Sequence, residues 1–188
     1  TAAPDASLRI GHTGGIASAV VPVESAPAIG LIPPPPRVAR FEIERCRIRP
    51  RVAVGQYRSH VELLNRDENV YAFEARADRT VVFTQTLPFG VRPLAKPLDH
   101  VGILEIRDTV GYAWMRAWLF VVQLPEHAFV TGDDGRFSLR AVPPGRHRLA
   151  LWHEPWGALG RPVEVIREIV LPPGGRVDVR FELPVAGD

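Results

Sequence analysis

Hydrophobic alternation with a period of two, broken every few residues by proline or glycine, restricts the fold of this chain more than any other feature. Val177, Val179, Phe181 and Leu183 alternate with Arg176, Asp178, Arg180 and Glu182. Phe41 and Ile43 alternate with Glu42 and Glu44, and Tyr57, Ser59, Val61 and Leu63 with Arg58, His60 and Glu62. Successive side chains of a strand point to opposite faces, whereas a helix repeats about every 3.6 residues, so such runs bury one side only in sheets. The 19 prolines and 16 glycines among 188 residues supply turns and leave no segment that must be helical. The expected class is all-β.

In chain order, residues 1–15 read as a flexible lead, and residues 16–24 as a strand that Pro22 restricts to a sheet edge. The prolines at 33–36 lack backbone donors and read as a stiff polyproline connector. From residue 37 to 122 short strands follow one another. After the two runs above come residues 70–75, 81–86 and 100–106, with a turn-rich stretch at 89–99. In the next run Trp114, Arg116, Trp118, Phe120 and Val122 share one face, and Met115, Ala117, Leu119 and Val121 the other. Both faces are largely apolar, which predicts an interior strand covered on two sides. Asp134-Gly135 between β-prone runs predicts a hairpin turn with residues 138–142 returning. Residues 147–153, a short strand within 158–175, and residues 176–183 complete the set.

Basic residues number 23 and acidic residues 21, a formal net charge of +2. That balance gives no electrostatic ground for a nucleic-acid partner. Lys96 is the only lysine, so the other cationic side chains are arginines. Cys46 is the only cysteine; no internal disulfide forms, and cysteine usage marks no compartment. No apolar run approaches the roughly 20 residues that cross a bilayer as a helix. The opening Thr1-Ala2-Ala3-Pro4-Asp5 reads as a mature N-terminus after signal removal. The expectation is therefore an exported protein, periplasmic or at the cell surface.

Two stretches carry a family resemblance. Val130-Thr-Gly-Asp-Asp-Gly-Arg-Phe137, the turn Pro143-Pro144-Gly145 and the strand end Trp152-His153-Glu154 resemble the carboxypeptidase regulatory-like, transthyretin-like β-sandwich. Cys46, Asn65-Arg66-Asp67 and Trp114-Met115-Arg116-Ala117-Trp118 resemble the cupredoxin-like domain fused to it in periplasmic proteins of the methylamine-utilisation, plastocyanin-like type. The resemblance implies a transthyretin-like sandwich, residues 16–32 plus 124–184. An inserted cupredoxin-like Greek-key sandwich, residues 38–123, would interrupt it.

The resemblance also implies where copper binds in that family. A His follows the Asn-x-Asp turn, and a Cys-x-x-His-x-x-Met run precedes the Arg-Ala-Trp strand. The corresponding positions here are Tyr71, Thr109, Tyr112 and Met115, of which only Met115 agrees. Type 1 copper takes a thiolate, two imidazoles and a weak thioether. A hydroxyl and two phenols with an ordinary pKa near about 10 do not replace them. The expectation is a degenerate site with no metal and no other cofactor. His12, His60, His100, His127, His147 and His153 are scattered, and Cys46 lies far in sequence from the 108–115 loop. They read as surface imidazoles and a buried free thiol.

Asp133-Asp134-Gly135 offers too few oxygens for calcium, which takes about six to eight. No serine sits in a nucleophile-elbow context, so no hydrolase is expected. Trp152, His153 and Trp156 combine aromatic area with polar groups and are candidate contacts for a protein or a carbohydrate. The functional expectation is a non-enzymatic, extracytoplasmic structural or adaptor subunit that binds protein partners in a larger assembly. Cytochromes are the extension that the family's copper suggests. Electron transfer through an unconventional metal site and carbohydrate binding are the alternatives.

Overall fold

A computed structural model describes residues 10–12, 14–24, 38–112, 114–155 and 162–183. Within them the chain is all-β apart from one 3₁₀ turn, Pro125–His127. Among the described residues no helix is long and apolar enough to cross a membrane. The chain divides into two compact units, residues 1–31 with 126–188, and residues 32–125. The first unit opens with β1 (Val20–Pro22) and resumes after the second.

The second unit holds β2 (Ala39–Glu44), β3 (Arg47–Arg49), β4 (Val52–Gln56), β5 (His60–Asn65) and β6 (Tyr71–Ala77). It continues with β7 (Thr80–Leu87), β8 (Leu94–Pro97), β9 (Gly102–Asp108) and β10 (Arg116–Val122). Two sheets form, of order β3-β2-β5-β8 and β4-β10-β9-β6-β7. Most neighbours are antiparallel, but β2 runs parallel to β5 and β10 parallel to β4. The expected alternation on β2 is seen directly. Ala39, Phe41 and Ile43 are buried, while Arg40 and Glu44 are exposed. Phe41, Ile43 and Leu63 of one sheet share a core with Phe73, Ile106 and Leu119 of the other. Each such side chain, fully buried, stabilises the fold by roughly 1.5–3 kcal/mol.

β10 lies between β4 and β9, so it is interior. Ala117, Leu119 and Val121, with Met115 just before the strand, join the core, while on the other face Phe120 is buried, Trp118 half-buried and Arg116 exposed. Two features depart from the sequence expectation. Residues 57–59 are a turn rather than part of a strand, because Ser59 folds back to donate its N–H and hydroxyl to Gln56 O at 3.1 and 2.7 Å. β4 precedes that turn and β5 follows it. β8 arises inside the turn-rich stretch, where Pro97 is tolerated because β8 is a sheet edge.

The first unit completes with β11 (Ala128–Val130), β12 (Gly145–His153) and β13 (Val163–Leu171), in one sheet of order β11-β1-β12-β13. β1 is interior here, against the expectation of an edge. Pro22 is its last residue, opposite Ala128, so the missing donor ends the strand instead of exposing it. Gly11 and Gly14, in the lead expected to be flexible, close a turn in which Gly14 N–H donates to Gly11 O at 2.9 Å. The Asp134-Gly135 turn closes with Gly135 N–H donating to Gly132 O at 2.9 Å. Gly135 has a φ of +68°, and a Cβ there would sit 2.6 Å from Gly15 Cα.

Two expected strands, residues 138–142 and 176–183, join no sheet. Their alternation is still expressed as burial, since Phe137, Leu139, Phe181 and Leu183 rest on Ala19, Val21 and Leu151. Alternation decides which side is covered, whereas a ladder needs a neighbour about 4.8 Å away. The prolines at 33–36 lie outside the described residues.

Candidate functional site

β2 and β3 are joined by two residues, Arg45 and Cys46, with φ of 53° and 55°. Two positive φ values in a two-residue hairpin define a type I′ turn, which favours Asn and Gly. Neither residue present suits that geometry, at a cost of roughly 1–2 kcal/mol each. Asp67 offsets the strain. Its Oδ1 accepts the Arg45 N–H at 2.7 Å, and its Oδ2 accepts the Cys46 N–H and the Tyr71 hydroxyl, both at 2.8 Å. Asn65, itself buried, sets Asp67 in place by accepting its N–H at 2.9 Å. Asn65 Nδ2 donates to Asn69 O at 2.7 Å and to Leu87 O at 3.0 Å. The Asn65-Arg66-Asp67 turn thus ties the β2–β3 hairpin to the start of β6 and the end of β7.

The charges follow from these contacts. Burial pushes the Asp67 carboxyl up, but the Cys46 N–H, the Tyr71 hydroxyl and the Arg45 N–H outweigh it, and its pKa falls below the ordinary value. Tyr71 moves the other way. Burial, the Cys46 contact and the Asp67 charge hold its proton far more tightly than a free phenol would. Cys46 Sγ lies 3.3 Å from Tyr71 Oη. The single hydroxyl proton of Tyr71 goes chiefly to the carboxylate at 2.8 Å, and the thiol sulfur is its weaker, longer acceptor.

Between β9 and β10 the loop is organised by Asp108. Its Oδ2 accepts the N–H groups of Val110, Gly111 and Tyr112 at 3.0, 2.9 and 3.0 Å. Asp108 N–H donates to Met115 O at 3.1 Å, and Met115 N–H to Tyr112 O at 2.8 Å, which closes the loop. Tyr112 meets Tyr71 edge-on at 6.0 Å and Trp114 at 5.4 Å. Trp114 Nε1–H donates to Cys46 O at 3.0 Å.

Of the four positions singled out in the sequence, Tyr71, Tyr112 and Met115 therefore meet in one cluster. Thr109 turns aside, donating its hydroxyl and its N–H to Ala72 O at 3.0 and 2.8 Å. Cys46, set aside for its distance in sequence, belongs to the cluster, because the hairpin folds it against Tyr71. Asp67 and Asp108 are the organising groups that sequence reasoning missed. Arg45-Cys46 between two strand-like runs was the available sign, since a type I′ turn without Asn or Gly needs an outside acceptor.

The donors gathered here are a thiol, two phenols, a carboxylate and a thioether. Type 1 copper takes two imidazoles beside its thiolate, and these residues do not fit it. The histidines lie elsewhere. His60 is beside Glu62 at 3.7 Å, His100 is exposed, and the rest belong to the first unit. Among the described residues no three His, Cys, Asp or Glu side chains gather in a ligating group.

Three histidines correct the expectation of surface imidazoles. His127, His147 and His153 are buried, with a ring nitrogen against the carbonyls of Ala141, Pro143 and Glu154 at 3.1, 2.6 and 2.9 Å. A backbone carbonyl satisfies one polar tip while the ring packs. The expected contact patch is corrected as well. Trp152 and His153 are 5% and 0% exposed, because they lie on β12, an interior strand, and offer no surface to a partner. Trp156 lies outside the described residues.

No protein-family model matches the chain, and no curated protein does. The solved structures similar to it include cupredoxins. The purple cupredoxin of Nitrosopumilus maritimus is 13% identical over 45% of this chain and 99% of its own, with a TM-score of 0.38. Amicyanin from Paracoccus versutus is 13% identical over 54% of this chain and 97% of its own, at 0.40. A copper-containing nitrite reductase from Thermus scotoductus is 14% identical over 52% of this chain, which spans only 25% of that enzyme, also at 0.40. At scores this low the likenesses assign no residue a role.

Proposed function

We propose that residues 32–125 are a cupredoxin-like sandwich in which packed tyrosines stand where a metal site would be. On this reading the chain is a non-enzymatic structural or adaptor subunit of an assembly outside the cytoplasm. The first unit is then its transthyretin-like, carboxypeptidase regulatory-like companion. The observation that carries the reading is the Asp67–Tyr71–Cys46 arrangement. Tyr71 commits its proton to Asp67, and both Asp67 oxygens are committed to backbone N–H groups. These polar groups hold a hairpin and leave no open position for a reactant. A sandwich without a reactive centre acts through its surface, and the 108–115 loop exposes Val110 at 64% and Trp114 at 41%. Protein partners, with cytochromes among them, are the class this reading names.

One observation favours electron transfer as a second reading. Cys46 and Met115, a thiol and a thioether, reach the same cluster. Copper titration of the full chain, followed by visible absorption, separates the two. The expected result is no intense thiolate-to-copper band. A strong band that disappears in Cys46→Ala overturns the structural reading. Identification of chains that co-purify from the native source tests the adaptor role, with haem absorption reporting a cytochrome. A solitary monomer overturns it.

A further inference from the structure

We infer that the first unit binds an elongated apolar molecule with an anionic head, of the long-chain fatty-acid class, in the cavity beside β12. This inference does not depend on the metal question. Leu149, Leu151 and Ile169 line one wall, and Phe137, Leu139 and Phe181 the other, around about 840 Å³. Small-molecule sites run to roughly 300–1,000 Å³. The lining is about equally polar and apolar, so a molecule that joins an apolar chain to a polar head matches it better than a plain hydrocarbon does.

The cover explains why the space stays open. The segments 136–142 and 176–183 turn alternate apolar side chains onto the sheet but join no sheet themselves. Phe137 and Phe181, with ring centroids 5.9 Å apart, link the two segments. Val179, Phe181 and Leu183 recur every second residue, at steps of roughly 6–7 Å, which suits a slot for a chain better than a pocket for a compact ligand. The charge of the lining chooses the head. Arg136, Arg176 and Arg180 outnumber Asp134 and Asp178 there. Arg176 pairs with Asp178 at 2.9 Å and Arg180 with Glu182 at 3.7 Å, both fully in solvent. Such exposed pairs hold weakly, so an incoming carboxylate can take their place.

The test is titration of the full chain with the fluorescent fatty acid cis-parinaric acid, with palmitate, cetyl alcohol and cetyltrimethylammonium as competitors below their micelle concentrations. Saturable one-to-one binding is expected, displaced best by palmitate and worst by the cation. Leu139→Trp, which fills the slot, should weaken binding about tenfold or more. Arg136→Glu with Arg180→Glu should weaken palmitate more than the alcohol, and keeps the inference testable if the tryptophan variant does not fold. Amide exchange gives a second measure, with protection of residues 137–142 and 177–183 rising on adding palmitate. Absence of saturable binding, or binding indifferent to both variants, overturns the inference. Strong protection of those amides without ligand overturns it too, since the segments would then have closed into a sheet.

Discussion

β2 and the segment 176–183 share one hydrophobic pattern and meet different fates. On β2, Ala39, Phe41 and Ile43 point into a core, and ladders run on both sides, to β3 and to β5. On 176–183, Val179, Phe181 and Leu183 are half-buried and no ladder forms. The difference lies at the ends. β2 is followed by a two-residue turn that Asp67 holds, and this fixes the register of β3. The segment 176–183 follows the Pro172–Gly175 turn, closed by Gly175 N–H to Pro172 O at 3.0 Å, and among the described residues no outside group is seen to hold that turn. Patterning decides the buried face, and turn chemistry decides the partner.

The largest expected effect breaks the contrast in core density. Leu119 is fully buried between the two sheets of the second unit. Leu119→Ala should cost about 2–5 kcal/mol, the transfer loss plus the void left behind. Phe181→Ala, at a half-buried ring beside a cavity, should cost under about 2 kcal/mol. Amide exchange reads each unit's opening free energy separately. Equal losses would show that the first unit is packed as tightly as the second.

Next in size is Asp67. Asp67→Ala removes the acceptor for two backbone N–H groups and a buried hydroxyl, and should destabilise the second unit by about 2–3 kcal/mol in urea denaturation. Asp178→Ala, which breaks an equally short pair between side chains 86% and 84% exposed, should cost less than about 0.5 kcal/mol. A similar cost for both would place the stabilisation in charge alone and remove the turn from the account.

The pH dependence has a definite sign. Asp67 is held below its unfolded value of about 3.9, so the unfolded chain takes up protons first as pH falls. Its contribution is complete above about pH 4 and is lost as pH falls through the folded value. Glu74, held down chiefly by Arg107 and also by Arg76, adds the same sign. Tyr71 is held above its unfolded value near about 10, so its contribution is present below that pH and lost as pH rises beyond it. Stability of the second unit against pH should therefore show a plateau with a fall on each side. Asp67→Asn should make the acid fall shallower, leaving the part due to Glu74, and Tyr71→Phe should reduce the alkaline fall. An acid limb unchanged in Asp67→Asn would assign the titration elsewhere.

What could be read from the sequence was local. The all-β class, the inward face of β2 and the two apolar faces of β10 follow from period-two patterning alone. The turn at 57–59 escaped because the 57–63 alternation runs through it without a break in polarity. β8 escaped because Pro93 and Pro97 disguise an edge strand. The cluster itself was half legible. Tyr71, Tyr112 and Met115 were singled out together, but Cys46 joins them only through contacts that span 25 residues to Tyr71 and 68 to Trp114. Asp67 was part of a named motif without a role, because its three donors come from a hairpin and a strand that no local pattern connects to it.

The smallest effect bears on the turn that separates the two patterns. Arg45 occupies a left-handed position that Asn tolerates far better, and it is exposed. Arg45→Asn keeps the backbone N–H that Asp67 accepts and relieves the strain, so the second unit should gain about 0.5–1 kcal/mol. Combined with Asp67→Ala, the same substitution should recover a larger share of the loss, because an intrinsically favourable turn depends less on an outside acceptor. Strict additivity in that double-mutant cycle would mean that Asp67 does not act through the turn. A coupling of about 0.5 kcal/mol or more would confirm that the carboxylate and the Arg45-Cys46 backbone are one device, the one that β2 has and the segment 176–183 lacks.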